Sequence, residues 1–368
     1  MELNDLLSAN PELEQRFHTI KAFARSIRTS EYHVTHACNL RCRGCWFFEF
    51  GFDQVTGTDV KDLEAWRSFA RRERERGITL ALLIGGEPSL FPDRIQVFVE
   101  EMPYVWLSTN GLVPIPKEGF EDVAISITLF GGGPLDDDLR GIRPGGKTIN
   151  GLFETALKNY KNDSRIFYIY ALTRDSIPYM EDVVKRAGDN GNQVEFNYYG
   201  EYAGPVGIPR SNAMEERLLE KALSVQEMYP EVVLSHPYYI RTIIKGESHW
   251  GRWGYDVCPS ISQDYPGNRN RLANGNPALP GFNSYAPDLK TINMCCTSGH
   301  CENCRDSAAV LSWLMISMQH FLDSEEHFKT WLELCEKFWS HFCWSPYHIS
   351  KRFSHKIQEP QKMTLTQH

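Results

Sequence analysis

The stretch His36-Ala37-Cys38-Asn39-Leu40-Arg41-Cys42-Arg43-Gly44-Cys45-Trp46 decides how the rest of the chain is read. It follows a strand-like run at 32–36 directly and gathers three thiols into one short loop. Outward from it, strand-like and helix-like segments alternate. Strands are expected at 32–36, 79–84, 104–108, 123–129, 165–172 and 193–199. Between them the spacing predicts helices over 59–76, 148–161 and 177–187. The first of these carries Val60, Leu63, Trp66, Phe69 and Ala70 on one face and an Arg/Glu-rich face opposite. Thr58 or Asp59 can cap its start, and Gly77 can end it. Such alternation implies parallel strands joined by crossover helices. Along 123–129, Val123, Ile125, Ile127 and Leu129 share one face, and Ala124, Ser126 and Thr128 the other. A greasy face opposite a small, polar one suits a barrel covered by helices outside and open within, since a filled barrel places bulk in its interior.

Composition fits that picture. Of 368 residues, 42% are hydrophobic and 23% charged, ordinary values for a globular protein. The net charge of −8 repels a phosphate backbone, so no nucleic acid partner is expected. Apolar runs such as 80–84 are far too short to span a bilayer, so no membrane partner is expected either. Met1-Glu2-Leu3-Asn4-Asp5 lacks the basic start and apolar core of a secretory signal, which points to a cytoplasmic location. Leu6, Leu7, Leu13, Phe17, Ile20 and Phe23 make 1–30 a helical extension, and 31–235 is the barrel. Residues 236–310 form a loop-built module, in which 250–290 is irregular and rich in Gly, Pro, Asn, Trp and Tyr. Residues 311–368 hold aromatic helices, where Cys335 and Cys343 read as core, and a polar tail.

Ten cysteines need a reason. A disulfide scaffold is usually short and secreted, whereas clustered cysteines in a larger chain more often bind metal or do redox chemistry. Three thiolates at gaps of three and two residues can ligate three irons of a cubane. Iron–sulfur clusters normally take four. The missing ligand leaves one iron open, as catalytic zinc sites keep an open position, and an open iron can bind a molecule and pass it an electron. The plainer alternatives are a zinc or fully coordinated site with a distant fourth ligand, or simply buried thiols.

The Cys38-x3-Cys42-x2-Cys45 spacing after the first strand resembles the radical SAM superfamily. The resemblance implies a [4Fe–4S] cluster on Cys38, Cys42 and Cys45 whose open iron holds S-adenosylmethionine. It also implies reductive cleavage to methionine and a 5′-deoxyadenosyl radical, which abstracts hydrogen from a substrate. Gly85-Gly86-Glu87-Pro88 resembles the family's GGEP motif. Its glycines let backbone approach a ligand closely, and Glu87 can accept from an ammonium group. Ser108-Thr109-Asn110-Gly111 resembles the ribose-contacting region, with Ser126 as a second contributor. Leu139-Arg140-Gly141-Ile142-Arg143 resembles the stretch whose arginine binds the methionine carboxylate, with Arg140 the match by position and Arg143 the spare. Ordinary turns, a wet cavity lining and a surface salt bridge are the bland readings of these motifs. One position departs: an aromatic residue that touches adenine often precedes the third cysteine, and here it is Gly44. Glu195, Asn197 and Tyr199 share a face of the last strand and either reach the ligands or point outward. These matches cover about 31–200.

A second group, Cys295-Cys296-x4-Cys301-x2-Cys304 with Cys258 upstream, resembles the C-terminal SPASM or twitch modules of that superfamily. The resemblance implies a second, auxiliary [4Fe–4S] cluster on Cys258, Cys296, Cys301 and Cys304. Cys295 is then left over as a thiol able to donate hydrogen to a product radical. Structural zinc competes for the same ligands. His300 lies among them, and Trp250, Trp253 and Tyr255 are either a lid or a packed loop. The fold class expected is therefore α/β, a partial (β/α)6 TIM-like barrel with an auxiliary-cluster module and terminal helices. The expected partners are an electron donor such as flavodoxin or ferredoxin and a small-molecule substrate, a sugar, nucleoside or amino-acid derivative. A peptide substrate, as for a maturase of a ribosomal peptide precursor, is the alternative within enzymes. A non-enzymatic iron–sulfur or zinc scaffold or sensor is the alternative outside them, and it has no need of Glu87 and its two glycines.

Overall fold

In the computed structural model, β-branched and aromatic runs form strands, and amphipathic runs form the helices that cover them. The structure describes residues 2–54, 58–199, 212–246, 261–273, 281–294 and 305–342. The strands are β1 (Thr29–His33), β2 (Leu80–Ile84), β3 (Tyr104–Thr109), β4 (Val123–Leu129), β5 (Ile166–Leu172) and β6 (Gln193–Tyr198), joined late in the chain by β7 (Ser284–Tyr285) and β8 (Ile292–Asn293). They form one sheet in the order β6-β5-β4-β3-β2-β1-β7-β8. The first six are parallel and in sequential order, and β7 runs parallel to β1. This is the partial TIM-like barrel architecture.

Among the described residues thirteen α-helices accompany the sheet: α1 (Leu3–Ala9), α2 (Pro11–Ser26), α3 (Trp46–Glu49), α4 (Leu63–Glu75), α5 (Pro92–Glu101), α6 (Gly133–Arg140), α7 (Leu152–Asn159), α8 (Met180–Asp189), α9 (Asn212–Met228), α10 (Pro237–Lys245), α11 (Arg269–Ala273), α12 (Ser307–Ile316) and α13 (Glu325–Phe342). The crossover helices bury one stripe each, as Trp66 and Phe69 of α4 and Phe98 of α5 do around Tyr32 of β1. The N-terminal extension docks on the last helix, where Phe17 meets Phe328 and Trp331 and Arg16 grips Glu336 at 2.9 Å. Among the described residues no helix is long and apolar enough to cross a membrane.

Two local expectations shift. The first strand begins at Thr29, ahead of its apolar run, because Ser30 and Glu31 are polar but buried. Their partners are the Asn283 carbonyl, 2.7 Å from Ser30 Oγ, and the Ser284 hydroxyl, 2.6 Å from Glu31 Oε1. Part of the stretch expected to be irregular thus extends the sheet. The helix expected from residue 59 starts at Leu63, with Asp62 accepting from the Glu64 N–H at 3.1 Å as its cap. Asp59 stays outside the helix, where it accepts from Thr35 Oγ1 at 2.5 Å and the His36 N–H at 3.2 Å and pairs with Arg94. Burial pushes the Asp59 carboxyl up, but hydrogen bonds from the His36 side chain, Thr35 Oγ1 and the His36 N–H outweigh it and hold it well below the usual carboxylate range.

The strand faces resolve as alternation requires. Trp106 and Ser108 of β3, Thr128 of β4, Phe167, Ile169 and Ala171 of β5, and Glu195 and Asn197 of β6 point into the lumen. Glu31, Leu82 and Trp106 share one register row. The small face of β4 does look inward, but Trp106, Phe167 and Leu82 supply bulk. What remains is a cavity of about 310 Å³ that reaches the C-terminal strand ends.

Candidate active site

The loop after β1 owes its position to backbone contacts. Past Ile84, the chain lies directly on the segment that leads to Cys38: the Gly86 N–H donates to the Thr35 carbonyl and the Glu87 N–H to the Ala37 carbonyl, both at 2.8 Å. A Cβ on Gly86 would stand 2.2 Å from the Ala37 oxygen, and one on Gly85, at φ +132°, 2.7 Å from the Thr35 oxygen. The two glycines therefore admit the chain's own backbone, which is a different reason from the ligand approach expected from the motif. Farther along, the Arg41 and Arg43 N–H groups donate to the Ile142 and Leu139 carbonyls at 2.6 and 2.8 Å. Gly44 adopts φ +68°, and its carbonyl accepts from the Tyr199 hydroxyl at 2.9 Å. A β-carbon is disfavoured in that conformation, which gives the missing aromatic at this position a backbone reason.

Cys38, Cys42 and Cys45 are free thiols, and all three line the cavity. Burial pushes Cys38 up to about 12 and Cys45 up to about 11. Burial also raises Cys42, opposed by the Arg140 charge. Left to the protein alone, these thiols stay protonated; a metal centre would supply the positive charge that a thiolate needs. Among the described residues, no three His, Cys, Asp or Glu side chains converge on a single ion. Three cysteines lining one cavity can each offer a thiolate to a different iron of a polynuclear cluster.

Glu87 is 1% exposed and lines the same cavity. Its Oε1 accepts from the Ser89 N–H at 3.0 Å and the Thr109 hydroxyl at 2.6 Å, and its Oε2 from the Asn110 N–H at 2.8 Å. A carboxylate has about four acceptor positions, so one is left for a ligand. Asn110 also lines the cavity and ties the rim to the cysteine loop, donating to Asn39 Oδ1 at 2.7 Å while its Oδ1 accepts from the Leu112 N–H. Ser108 lines the cavity; Ser126 does not, and donates to the Leu107 carbonyl at 3.4 Å beneath it. Arg140 is 4% exposed and lines the cavity, whereas Arg143 is exposed. Arg140 Nη1 donates to the Thr128 carbonyl and pairs with the fully buried Asp136 at 3.2 Å. The sequence motif gave no sign of that prior pairing, although Asp136 four residues earlier on one helix face was the available signal.

Glu195, Asn197 and Tyr199 all line the cavity. Lining residues not singled out from the sequence include Glu31, Phe48, Trp106, Phe130, Asp306 and Ser307. Position on the inward strand face was the signal for Glu31 and Trp106; nothing local marks Asp306. Cys258, Cys295, Cys296, Cys301 and Cys304, with His300, Trp250, Trp253, Tyr255 and Cys343, lie outside the described residues. Cys335 is 1% exposed, a core residue.

No family model matches the chain. Over 141 residues it is 30% identical to a GTP 3′,8-cyclase of Alkaliphilus metalliredigens (strain QYMF). That match covers 33% of this chain and 44% of the cyclase, so it spans less than half of the relative's length. Among solved structures, anSMEcpe with bound AdoMet is similar at a TM-score of 0.50 and 14% identity, over 86% of this chain and 88% of that one. The same protein with AdoMet and the Cp18Cys peptide gives 0.48 at 13% identity, over 86% and 87%. The likeness to anSMEcpe shows a shared fold, on which this chain carries its cysteine, GGEP and arginine motifs in that order along the strands.

Proposed function

We propose that this protein is a radical SAM enzyme that uses S-adenosylmethionine to abstract hydrogen from a small organic substrate. The observation that carries the reading is that Cys38, Cys42, Cys45, Glu87, Asn110 and Arg140 all line one cavity at the C-terminal strand ends. Cys38, Cys42 and Cys45 would hold a [4Fe–4S] cluster. When bound and reduced, that cluster supplies the electron that splits the C5′–S bond of S-adenosylmethionine into methionine and a 5′-deoxyadenosyl radical. Glu87 presents its remaining acceptor position to the amino group of S-adenosylmethionine. Arg140, fixed by Asp136, is the group to face the carboxylate. Ser108 and Asn110 stand at the rim for the ribose, and the buried floor keeps bulk water from a reactive carbon.

The second cysteine group extends the proposal: Cys258, Cys296, Cys301 and Cys304 hold an auxiliary [4Fe–4S] cluster, and Cys295 is the spare thiol that returns a hydrogen atom. An external flavodoxin or ferredoxin delivers electrons. A cavity of about 310 Å³ sunk within the barrel suits a compact metabolite.

The test is anaerobic reconstitution with iron and sulfide, then dithionite and S-adenosylmethionine, with 5′-deoxyadenosine as the readout. Product above a no-protein control is expected, and none would overturn the reading. Replacing Cys38, Cys42 and Cys45 by Ala together is expected to abolish 5′-deoxyadenosine while leaving the iron of the second group in place.

A further inference from the structure

We infer that the molecule this cavity acts on carries a protonated amine, received at the lumen floor by Glu31 and across the lumen by Asn197; the inference rests on the radical SAM reading of the same cavity. Glu31 is 5% exposed and lines the cavity. Its Oε1 accepts from Ser284 Oγ at 2.6 Å, and among the described residues no hydrogen bond uses its Oε2. His33 Nε2 stands 3.7 Å from Oε1, beyond hydrogen-bond reach. A buried carboxylate without a full set of donors is costly, and the missing donor is what a ligand can bring.

Glu31 is not needed for S-adenosylmethionine. It sits in the row of Leu82 and Trp106, three residues and roughly 10 Å nearer the closed end than Gly85, where the cofactor motif begins. Of the described lining, Glu31 and Glu87 bring two carboxylates to which no Lys or Arg among the described residues pairs, and the lining cation Arg140 is already paired by Asp136. A lumen of that sign disfavours a phosphate or carboxylate substrate and favours a cation.

Asn197 supplies the second contact. Its Oδ1 is buried and has no hydrogen-bond partner among the described residues. It lies on β6, at the far end of the six-strand arc from β1, so the two acceptors face the lumen from different walls. An ammonium group is all donor and no acceptor, which matches an acceptor-only reception. Trp46, Trp106 and Phe167 line the same cavity, offering the carbon skeleton apolar walls and the charge a ring face.

The test is calorimetric titration of the reconstituted full-length holoprotein with two matched pairs, cyclohexylamine against cyclohexanol and glucosamine against glucose. The amine of at least one pair is expected to bind about tenfold or more tightly than its alcohol, the range of one charge-assisted hydrogen bond. Glu31→Gln is expected to erase that preference and Asn197→Asp to strengthen it, so the second variant carries the test if the first fails to fold. Equal affinities, a preference for the alcohols, or no binding of either pair would each overturn the inference. 5′-Deoxyadenosine is scored separately on the same preparations. Amine preference without cleavage counts against the radical SAM reading alone, and cleavage without amine preference counts against this inference alone.

Discussion

Two buried carboxylates at opposite ends of the strands are held in different ways. Asp163, just before β5 at the closed end, meets Arg165 Nη2 at 2.6 Å, and Arg165 also donates to the carbonyls of Ile115, Pro116 and Phe120. Glu87, just after β2 at the open end, receives three neutral donors, and among the described residues no cation pairs with it. The first arrangement is complete in itself. The second keeps its charge and one acceptor position toward the cavity. In barrels of parallel strands, stability tends to reside at the N-terminal face and chemistry at the C-terminal one. Here that division shows at the level of individual oxygen atoms.

The contrast can be broken from the closed end first. Arg165→Ala strands a carboxylate and three carbonyls and is expected to cost about 3–5 kcal/mol in denaturant unfolding, with 5′-deoxyadenosine yield per folded molecule unchanged. A variant that unfolded normally but lost yield would erase the distinction. At the open end, Glu87→Gln removes a charge rather than a support. It is expected to weaken S-adenosylmethionine binding about tenfold to a hundredfold, with a smaller loss of stability. Asp163→Asn sharpens the comparison through pH. Burial pushes the Asp163 carboxyl up, but the hydrogen bonds from Arg165 outweigh it and hold it below its usual value. Its stabilisation is therefore present above the unfolded value near ~3.9 and is lost as pH falls through the folded one. The variant should be less stable than the parent by about 1–2 kcal/mol at pH 7, allowing for solvent screening, and the gap should close below about pH 4. The smallest effect is expected from Gly44→Ala, about 1 kcal/mol for a β-carbon at φ +68°, with iron at the first site retained.

Much of this was legible locally. Six strands appear within three residues of where alternation placed them, because each is a period-2 or apolar run bounded by helix or turn signals. The cysteine loop, Glu87 and Arg140 were readable because their motifs are contiguous. What the sequence hid depends on distant partners. Ser30 and Glu31 look too polar for a strand until Asn283 and Ser284 arrive beside them. Gly85 and Gly86 look like ligand glycines until the Thr35 and Ala37 carbonyls are seen to occupy that space. The helix cap at Asp62 was misplaced because Asp59 is an equally good cap by type, and only the hydroxyl and N–H donors at Thr35 and His36 draw it elsewhere.

The short strand β7 has a consequence for how the molecule is assembled. The edge of β1 that it covers is a row of backbone donors and acceptors, and its partner residue lies 253 positions along the chain. A contact that distant forms late, since closing so long a loop carries a large entropic cost before any pairing repays it. During synthesis the cysteine loop and five further strands emerge first, with β1 still an open edge capable of pairing with another chain. Glu31 gains its Ser284 hydrogen bond only when β7 arrives, so the lumen floor and the sheet edge take their final form in the same event.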